Sequence, residues 1–189
     1  MKIAIVLPCN MYAAPFFRRF ENILNNSKYE FDLIYWNRSN IEENTSGNKI
    51  SFNIKDKVMS RKKSKIFKYL LFASFVKKNL KVSKYDRLFF LGSYGGIMAL
   101  LSLFLKKNYK NKYWLDIRDY SFENYKPYFE AMKLAIKSSY ATSISSPGFK
   151  YFLPNNTSYI QTHNIDRNNI SKIFSGDFNR RCRILSICG

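Results

Sequence analysis

Short apolar runs alternate with longer helical segments from the start of the chain. Residues 2–8 (KIAIVLP) are continuously apolar after the lysine, which is typical of a strand buried on both faces of a parallel sheet. A helix is predicted over residues 15–26, because Pro15 suits a first helical turn and apolar residues follow at helical spacing. Residues 31–36 (FDLIYW) form a second apolar run. Strand, helix and strand at this spacing indicate two parallel strands joined by a crossover helix.

The same alternation continues along most of the chain. Strands are predicted over residues 49–54, 87–91 and 112–117 and in the runs that begin at residues 142 and 159, and helices over residues 59–82, 96–107 and 122–137. We therefore predict an α/β fold, a Rossmann-like open and mostly parallel sheet with helices on both faces.

Three of these runs end in small or charged residues. They are residues 113–119 (YWLDIRD), residues 142–154 (TSISSPGFKYFLP) and residues 159–166 (YIQTHNID). In an open α/β sheet, ligands bind outside the carboxyl ends of the strands. A ligand site is therefore expected at this edge of the sheet.

The chain carries a large excess of positive charge. Its 189 residues include 32 Lys and Arg against 13 Asp and Glu, a formal net charge of +19. Such a balance favours anionic partners: lipid head groups, lipid-linked diphosphates or nucleic acid. Nucleic acid is the less favoured partner, because the aromatic residues lie in apolar runs instead of interleaving with Lys and Arg, and no helix-turn-helix, zinc or RNP-like motif occurs.

Cysteine and histidine usage gives no sign of a disulfide framework or a metal site. Cys9, Cys182 and Cys188 form no C-x-x-C pair, and His163 is the only histidine. The first apolar run is too short for a signal peptide, and no run of about 20 apolar residues occurs. We expect a cytoplasmic protein without a metal or cofactor.

The order of the polar strand ends resembles the N-terminal, acceptor-side domain of GT-B glycosyltransferases of the family-four type, which build capsular and cell-surface polysaccharide. The matching residues are Asp116 and Asp119 at an acidic strand end, Ser146 with residues 152–154 after the next helix, and residues 164–166 (NID) at a strand end. The resemblance implies transfer of a sugar from a nucleotide-sugar to a glycan acceptor that is lipid-linked, at the inner face of the membrane.

The resemblance also implies a two-part enzyme. Residues 1–175 match the acceptor-side domain, and residues 176–189 match a linker and the first strand (RILSICG) of a C-terminal donor-binding domain. Nucleotide-sugar binding is therefore expected only with that domain, or with a separate donor-binding chain. The 189 residues alone are expected to be inactive in transfer.

Candidate site residues follow from position and resemblance. Asp119 and His163 are the catalytic candidates, since a carboxylate or imidazole at a strand end can accept a proton from a sugar hydroxyl. For Asp119 an alternative is a cap on a helix beginning near Ser121, and a lone histidine is more often structural. The acceptor-binding candidates are Asn10, Tyr12, Ser93, Tyr94, Asp116, Arg118 and Asn164.

Four of these candidates have structural alternatives of their own. Asp116 is expected to pair with Arg118 or a neighbouring lysine, and Asn164 to fix the turn after its strand. Ser93 and Tyr94 lie in the segment 92–96 (GSYGG), whose spacing matches neither a dinucleotide-binding fingerprint nor a P-loop. Packing between strand and helix is the simpler explanation of those glycines.

The helix predicted over residues 59–82 combines apolar residues with many lysines. Each Lys near an anionic bilayer contributes about 1 kcal/mol, so several on one face can hold a domain at the membrane surface. The membrane-contacting candidates are Lys62, Lys63, Lys65, Lys68, Lys77 and Lys78. The alternative is that the apolar stripe is core and the lysines are only solvated.

Two other functions compete with glycosyl transfer. One is a basic nucleic-acid-binding protein without enzymatic activity. The other is a self-sufficient Rossmann-like enzyme, which the missing phosphate fingerprint disfavours.

Overall fold

A computed structural model describes residues 1–55, 62–92, 95–155 and 158–162, with side chains not described at residues 62–65, 95, 96, 98 and 99. Seven strands of the described residues form one parallel sheet. They are β1 (Ile3–Leu7), β2 (Phe31–Trp36), β3 (Asn48–Phe52), β4 (Arg87–Leu91), β5 (Tyr113–Ile117), β6 (Ala141–Ile144) and β7 (Ile160–Gln161). The helices are α1 (Phe17–Asn26), α2 (Lys62–Ser83), α3 (Gly95–Asn108) and α4 (Lys126–Ser138).

The strand order is β3-β2-β1-β4-β5-β6-β7. The chain builds outward from β1 in one direction to β3, returns through α2 and continues from β4 in the other direction. The order therefore reverses between β1 and β4, which is the topological switch point of a doubly wound sheet. The predicted fold class, a Rossmann-like parallel sheet with helices on both faces, is confirmed.

The two faces of the sheet have separate cores. Alternate residues of β1 and β2 point to opposite sides: Ala4 and Val6 pack in the cluster that includes α2, α3 and α4, and Ile3 and Ile5 pack with Phe17 and Leu24 of α1. Strand alternation explains the division, because successive side chains leave a strand on opposite faces. Three helices thus cover one face, and α1 covers the other beside the switch point.

Helix α4 begins four residues later than the sequence pattern predicts. Pro127 lies in its first turn, a position that suits proline. Residues 118–125 form a loop in which the backbone N–H of Ser121 donates to Glu123 Oε2 at 2.6 Å. Burial raises the pKa of Glu123, while hydrogen bonds from backbone N–H groups act in the opposite direction. The proposed helix start near Ser121 is therefore wrong, and with it the suggestion that Asp119 caps that helix.

Helix α2 differs from the predicted pattern in which apolar residues form one stripe. Phe72, Val76 and Leu80 face the core, but Ile66 and Phe67 near the beginning of the helix are 56% and 60% exposed. Leu70 is also exposed. The first turns of α2 therefore present apolar side chains outward, and only the later turns bury them. Within the described part of the chain, no helix combines the length and the apolar character needed to cross a bilayer.

Candidate functional site

The candidate site is the crevice at the carboxyl ends of β1, β4 and β5. Gly92 follows β4 directly with φ of 81°, a left-handed conformation that favours glycine. The loop after β1 contains the buried Cys9 and Asn10. Strand order reverses between β1 and β4, and the helices that follow them, α1 and α3, cover opposite faces of the sheet. This is the arrangement that places the ligand crevice of a doubly wound sheet.

A buried ion pair forms one wall of the crevice. The carboxylate of Asp116, the fourth residue of β5, accepts from Arg118 Nε and, at 2.6 Å, from Ser143 Oγ of β6. The side chain of Asp116 is fully buried and that of Arg118 nearly so. The structural pairing expected for Asp116 is thus present. Ser143 was not anticipated from the sequence, because only the β5–β6 register places it opposite Asp116.

Arg118 also contacts the other side of the crevice. Its guanidinium carbon lies 3.9 Å from the centroid of the Phe16 ring, at the beginning of α1. This cation–π contact joins the end of β5 to the segment that follows β1. A planar guanidinium held by both a carboxylate and an aromatic ring has a fixed orientation, so Arg118 is a rigid group next to the switch point.

Asp119 lies in the loop that follows β5 and is exposed. Several aromatic side chains at the same edge of the sheet are exposed as well. Tyr120 packs edge-on against Phe152, with 5.0 Å between the ring centroids. The exposed aromatics of the two loops after β5 and β6 are Tyr120, Phe122, Tyr125 and Tyr151. Aromatic rings in this position can pack against the apolar face of a sugar ring, while the hydroxyls of the tyrosines stay in water.

Asn10 and Tyr12 both hold the loop between β2 and β3. The Asn10 amide donates to Asn37 Oδ1 and to Glu43 Oε2, each at 2.8 Å, and accepts from the Ser39 N–H at 3.0 Å. The Tyr12 N–H donates to Glu43 Oε1 at 2.8 Å, and its hydroxyl lies 2.9 Å from Ser39 Oγ. Asn10 is buried and Tyr12 is largely exposed. The amide of Asn10 is therefore used in structure, and the ring of Tyr12 remains open to a ligand.

The remaining candidates fall partly outside the described residues. Ser93, Tyr94, His163 and Asn164 lie outside them, and so do the side chains of Lys62, Lys63 and Lys65. Lys68 Nζ donates to the Lys55 carbonyl at 3.0 Å. Lys77 and Lys78 are exposed. The described residues contain no group of three or more His, Cys, Asp or Glu that could hold a metal ion.

Comparison with known proteins identifies the fold. No model of a protein family matches the sequence, and no curated protein matches it significantly. A sucrose-phosphate synthase from Thermosynechococcus elongatus superposes with a TM-score of 0.61 over 92% of this chain and 96% of its own, at 10% identity. A protein described as a cell surface hydrolase, from Lactobacillus plantarum, covers 92% of this chain and 88% of its own at 16% identity, but its TM-score of 0.44 supports no conclusion. The chain therefore has a Rossmann-like fold that is also found in a glycosyltransferase.

Proposed function

We propose that the chain is the acceptor-side domain of a glycosyltransferase, which moves a sugar from a nucleotide-sugar donor to a lipid-linked glycan in surface polysaccharide synthesis. The main support is the likeness in fold to an enzyme named as a sucrose-phosphate synthase, which extends over nearly the whole of both chains. The order of polar strand ends, from Asp116 to Asp166, supports the same choice.

The crevice has the chemistry that an acceptor site needs. Asp119 presents an exposed carboxylate at the end of β5, where it can accept a hydrogen bond or a proton from an acceptor hydroxyl. Arg118 is held rigidly beside it by Asp116 and Phe16. Tyr12, Tyr120 and Tyr125 provide exposed rings at the same edge. His163 remains a catalytic prediction outside the described residues.

The donor would be bound elsewhere. In the proposed enzyme, a second domain or a separate chain supplies the nucleotide-sugar site and closes over the crevice. Acceptor binding is therefore the property of this domain to measure.

The membrane surface is part of the proposal. Phe67 and Leu70 of α2 and Leu103 of α3 are exposed, and α2 also carries the exposed Lys77 and Lys78. The two helices pack against one another on the same face of the sheet. Apolar side chains that enter the interface and lysines that attract anionic lipid act together in peripheral binding. The domain would thus work at the inner face of the plasma membrane.

The proposal is tested by sedimentation with liposomes that contain a polyprenyl diphosphate-linked sugar. We expect binding to exceed that to anionic liposomes without the lipid-linked sugar, and Asp119→Asn to reduce the difference. Glu130→Gln, which removes a charge from an exposed position on α4, serves as the control and should leave it unchanged. Equal binding with and without the lipid-linked sugar would overturn the acceptor assignment. Stronger binding to duplex DNA would favour a nucleic-acid-binding protein instead.

A further inference from the structure

A second concave site lies beside the crevice, at the carboxyl ends of β2 and β3. The cavity has a volume of about 430 Å³, which is within the range of small-molecule sites. Its floor is formed by Tyr35 of β2 and by Ser51 and Asn53 at the end of β3, and its roof by the loop between β2 and β3. Tyr35 and Ser51 are direct partners in the parallel register, so their side chains share one face.

The roof of this cavity is fixed in place. Glu43 accepts from Asn10 and Tyr12 in the loop after β1, and Lys49 Nζ donates to the Glu43 carbonyl at 2.9 Å. Further along the same loop, Glu21 of α1 accepts from the Ser46 N–H at 2.7 Å. The cavity is therefore largely preformed, which lowers the ordering cost of binding a ligand.

Five polar side chains face the cavity without an internal hydrogen-bond partner. None of them makes a side-chain hydrogen bond to another residue of the described ranges, whereas the neighbouring Asn37 accepts from Asn10 and from the Ile41 N–H and donates to the Ile41 carbonyl. They are Tyr35, Asn40, Glu42, Ser51 and Asn53. Hydroxyls and amides both donate and accept, and a carboxylate accepts from two neighbouring hydroxyls at once. Groups of this kind match a ligand with several hydroxyls.

The local charge distinguishes this cavity from the rest of the molecule. Glu42 and Glu43 line it together with only one cation, Lys49, although the chain as a whole has a net charge of +19. Burial, followed by the charges of Glu43 and Glu42, raises the pKa of Tyr35 and keeps its hydroxyl neutral. A phosphate or another anion would be repelled by the two carboxylates. The cavity therefore suits a neutral ligand.

We infer that the cavity between Tyr35, Ser51 and Asn53 and the β2–β3 loop binds a neutral sugar unit. Glu42 would accept hydrogen bonds from two sugar hydroxyls. The protein hydroxyls and amides around it would form hydrogen bonds with the other hydroxyls of the sugar. We assign this sugar to the acceptor glycan, at a distance from the reacting sugar unit, and this assignment rests on the proposed function. The existence of the sugar site does not depend on the proposed function.

The test is a titration of the isotope-labelled chain with neutral methyl glycosides, followed by amide chemical shifts. We expect saturable shifts at residues 40–43 and 51–53. Tyr35→Phe and Ser51→Ala should each weaken binding about fivefold and Glu42→Gln about tenfold, which are the losses expected for a neutral and a charged hydrogen bond. Glu130→Gln removes the same charge outside the cavity and should have no effect.

Inorganic phosphate is the comparison ligand and should not shift these residues. Shifts by phosphate equal to those by the glycosides, or an absence of shifts with every glycoside, would overturn the inference. So would unchanged affinity in all three cavity variants. Glycoside binding here without any binding of the lipid-linked sugar on liposomes would support the sugar site and overturn the proposed function.

Discussion

The guanidinium of Arg118 lies over the ring of Phe16, with 3.9 Å from its carbon to the ring centroid, while its Nε is paired with the buried Asp116 carboxylate. Arg118 follows β5 and Phe16 precedes α1, so the contact crosses the end of β4. One side chain thereby fixes the loop after β5 relative to the segment that follows β1. Its loss should affect stability and the shape of the crevice together.

We expect Arg118→Ala to lower the free energy of unfolding by about 3 kcal/mol, because it leaves the Asp116 carboxylate buried without its cation. Urea denaturation measures the change. The double variant Arg118→Ala, Asp116→Asn should recover part of the loss, since the buried charge is then gone. Phe16→Leu should cost only about 1 kcal/mol, the scale of a cation–π contact. An unchanged denaturation midpoint for Arg118→Ala would contradict the bracing role.

Gly47 in the loop before β3 has no room for a side chain. A Cβ at this position would lie 2.7 Å from Cδ2 and Cζ of Phe31, whose ring is buried. Gly47→Ala is therefore expected to destabilise the fold by about 1–3 kcal/mol, the cost of overpacking. Gly148→Ala is the matched control, because its Cβ would meet only Ser146 Oγ at 3.6 Å. Thermal unfolding of the two variants should differ clearly, and similar midpoints would show that Phe31 can move aside.

Much of the fold could be predicted from local pattern. Residues 31–36 and 87–91 form strands with the predicted bounds, because continuous apolar runs of that length fit a parallel sheet covered on both faces. The partners of Asn10 and Glu21 could not be predicted in this way. Glu43 and Ser46 lie in a polar loop more than 20 residues further along, and only the closed fold brings them near.

The exposed turns of α2 were missed for a related reason. Ile66 and Phe67 have the same spacing as core residues, and helical periodicity alone does not say which apolar face meets the sheet. Likewise, the partner of Asp116 on the neighbouring strand, Ser143, depends on the β5–β6 register. Local sequence thus predicts the elements, whereas the site depends on how they are aligned.

Glu21 should make stability depend on acid pH. Burial alone would raise its pKa, but hydrogen bonds from Thr45, Ser46 and Arg18 outweigh burial and lower it below the ordinary 4.5. A lowered folded pKa gives stability that is present above the unfolded value and lost as pH falls through the folded one. Glu21→Gln should therefore lower the free energy of unfolding by about 2 kcal/mol at neutral pH. It should also make the decrease in stability below pH 4.5 smaller. Thermal midpoints measured across acid pH test this.

Glu123 gives a control of opposite sign. Burial raises its pKa above the ordinary 4.5, so its stabilising contribution is present below that value and is lost as pH rises through the folded pKa. In the unaltered chain Glu123 adds stability as the pH falls from neutral to 4.5, and Glu123→Gln should remove this gain. The loss of stability below pH 4.5 should remain. Identical profiles for the Glu21 and Glu123 variants would contradict both assignments.

The outward apolar residues of α2 predict which face of the domain meets a membrane. Phe67 of α2 is 60% exposed, and the same helix carries the exposed Lys77 and Lys78; Ile23 on α1, which covers the opposite face of the sheet, is 62% exposed. Moving a phenylalanine side chain into the interface contributes about 2 kcal/mol. Phe67→Ser should therefore reduce sedimentation with anionic liposomes more than tenfold, and Ile23→Ser should leave it unchanged.

Salt separates the two contributions to this binding. Lysine attraction is screened by salt, whereas insertion of Phe67 is not. Raising the ionic strength should therefore weaken binding of the unaltered chain and of Phe67→Ser by similar factors, while the ratio between the two persists. If Ile23→Ser reduced liposome binding as much as Phe67→Ser, the face that binds the membrane would not be the α2–α3 layer. If neither substitution mattered, charge alone would account for the attraction and the exposed turns of α2 would have no part in it.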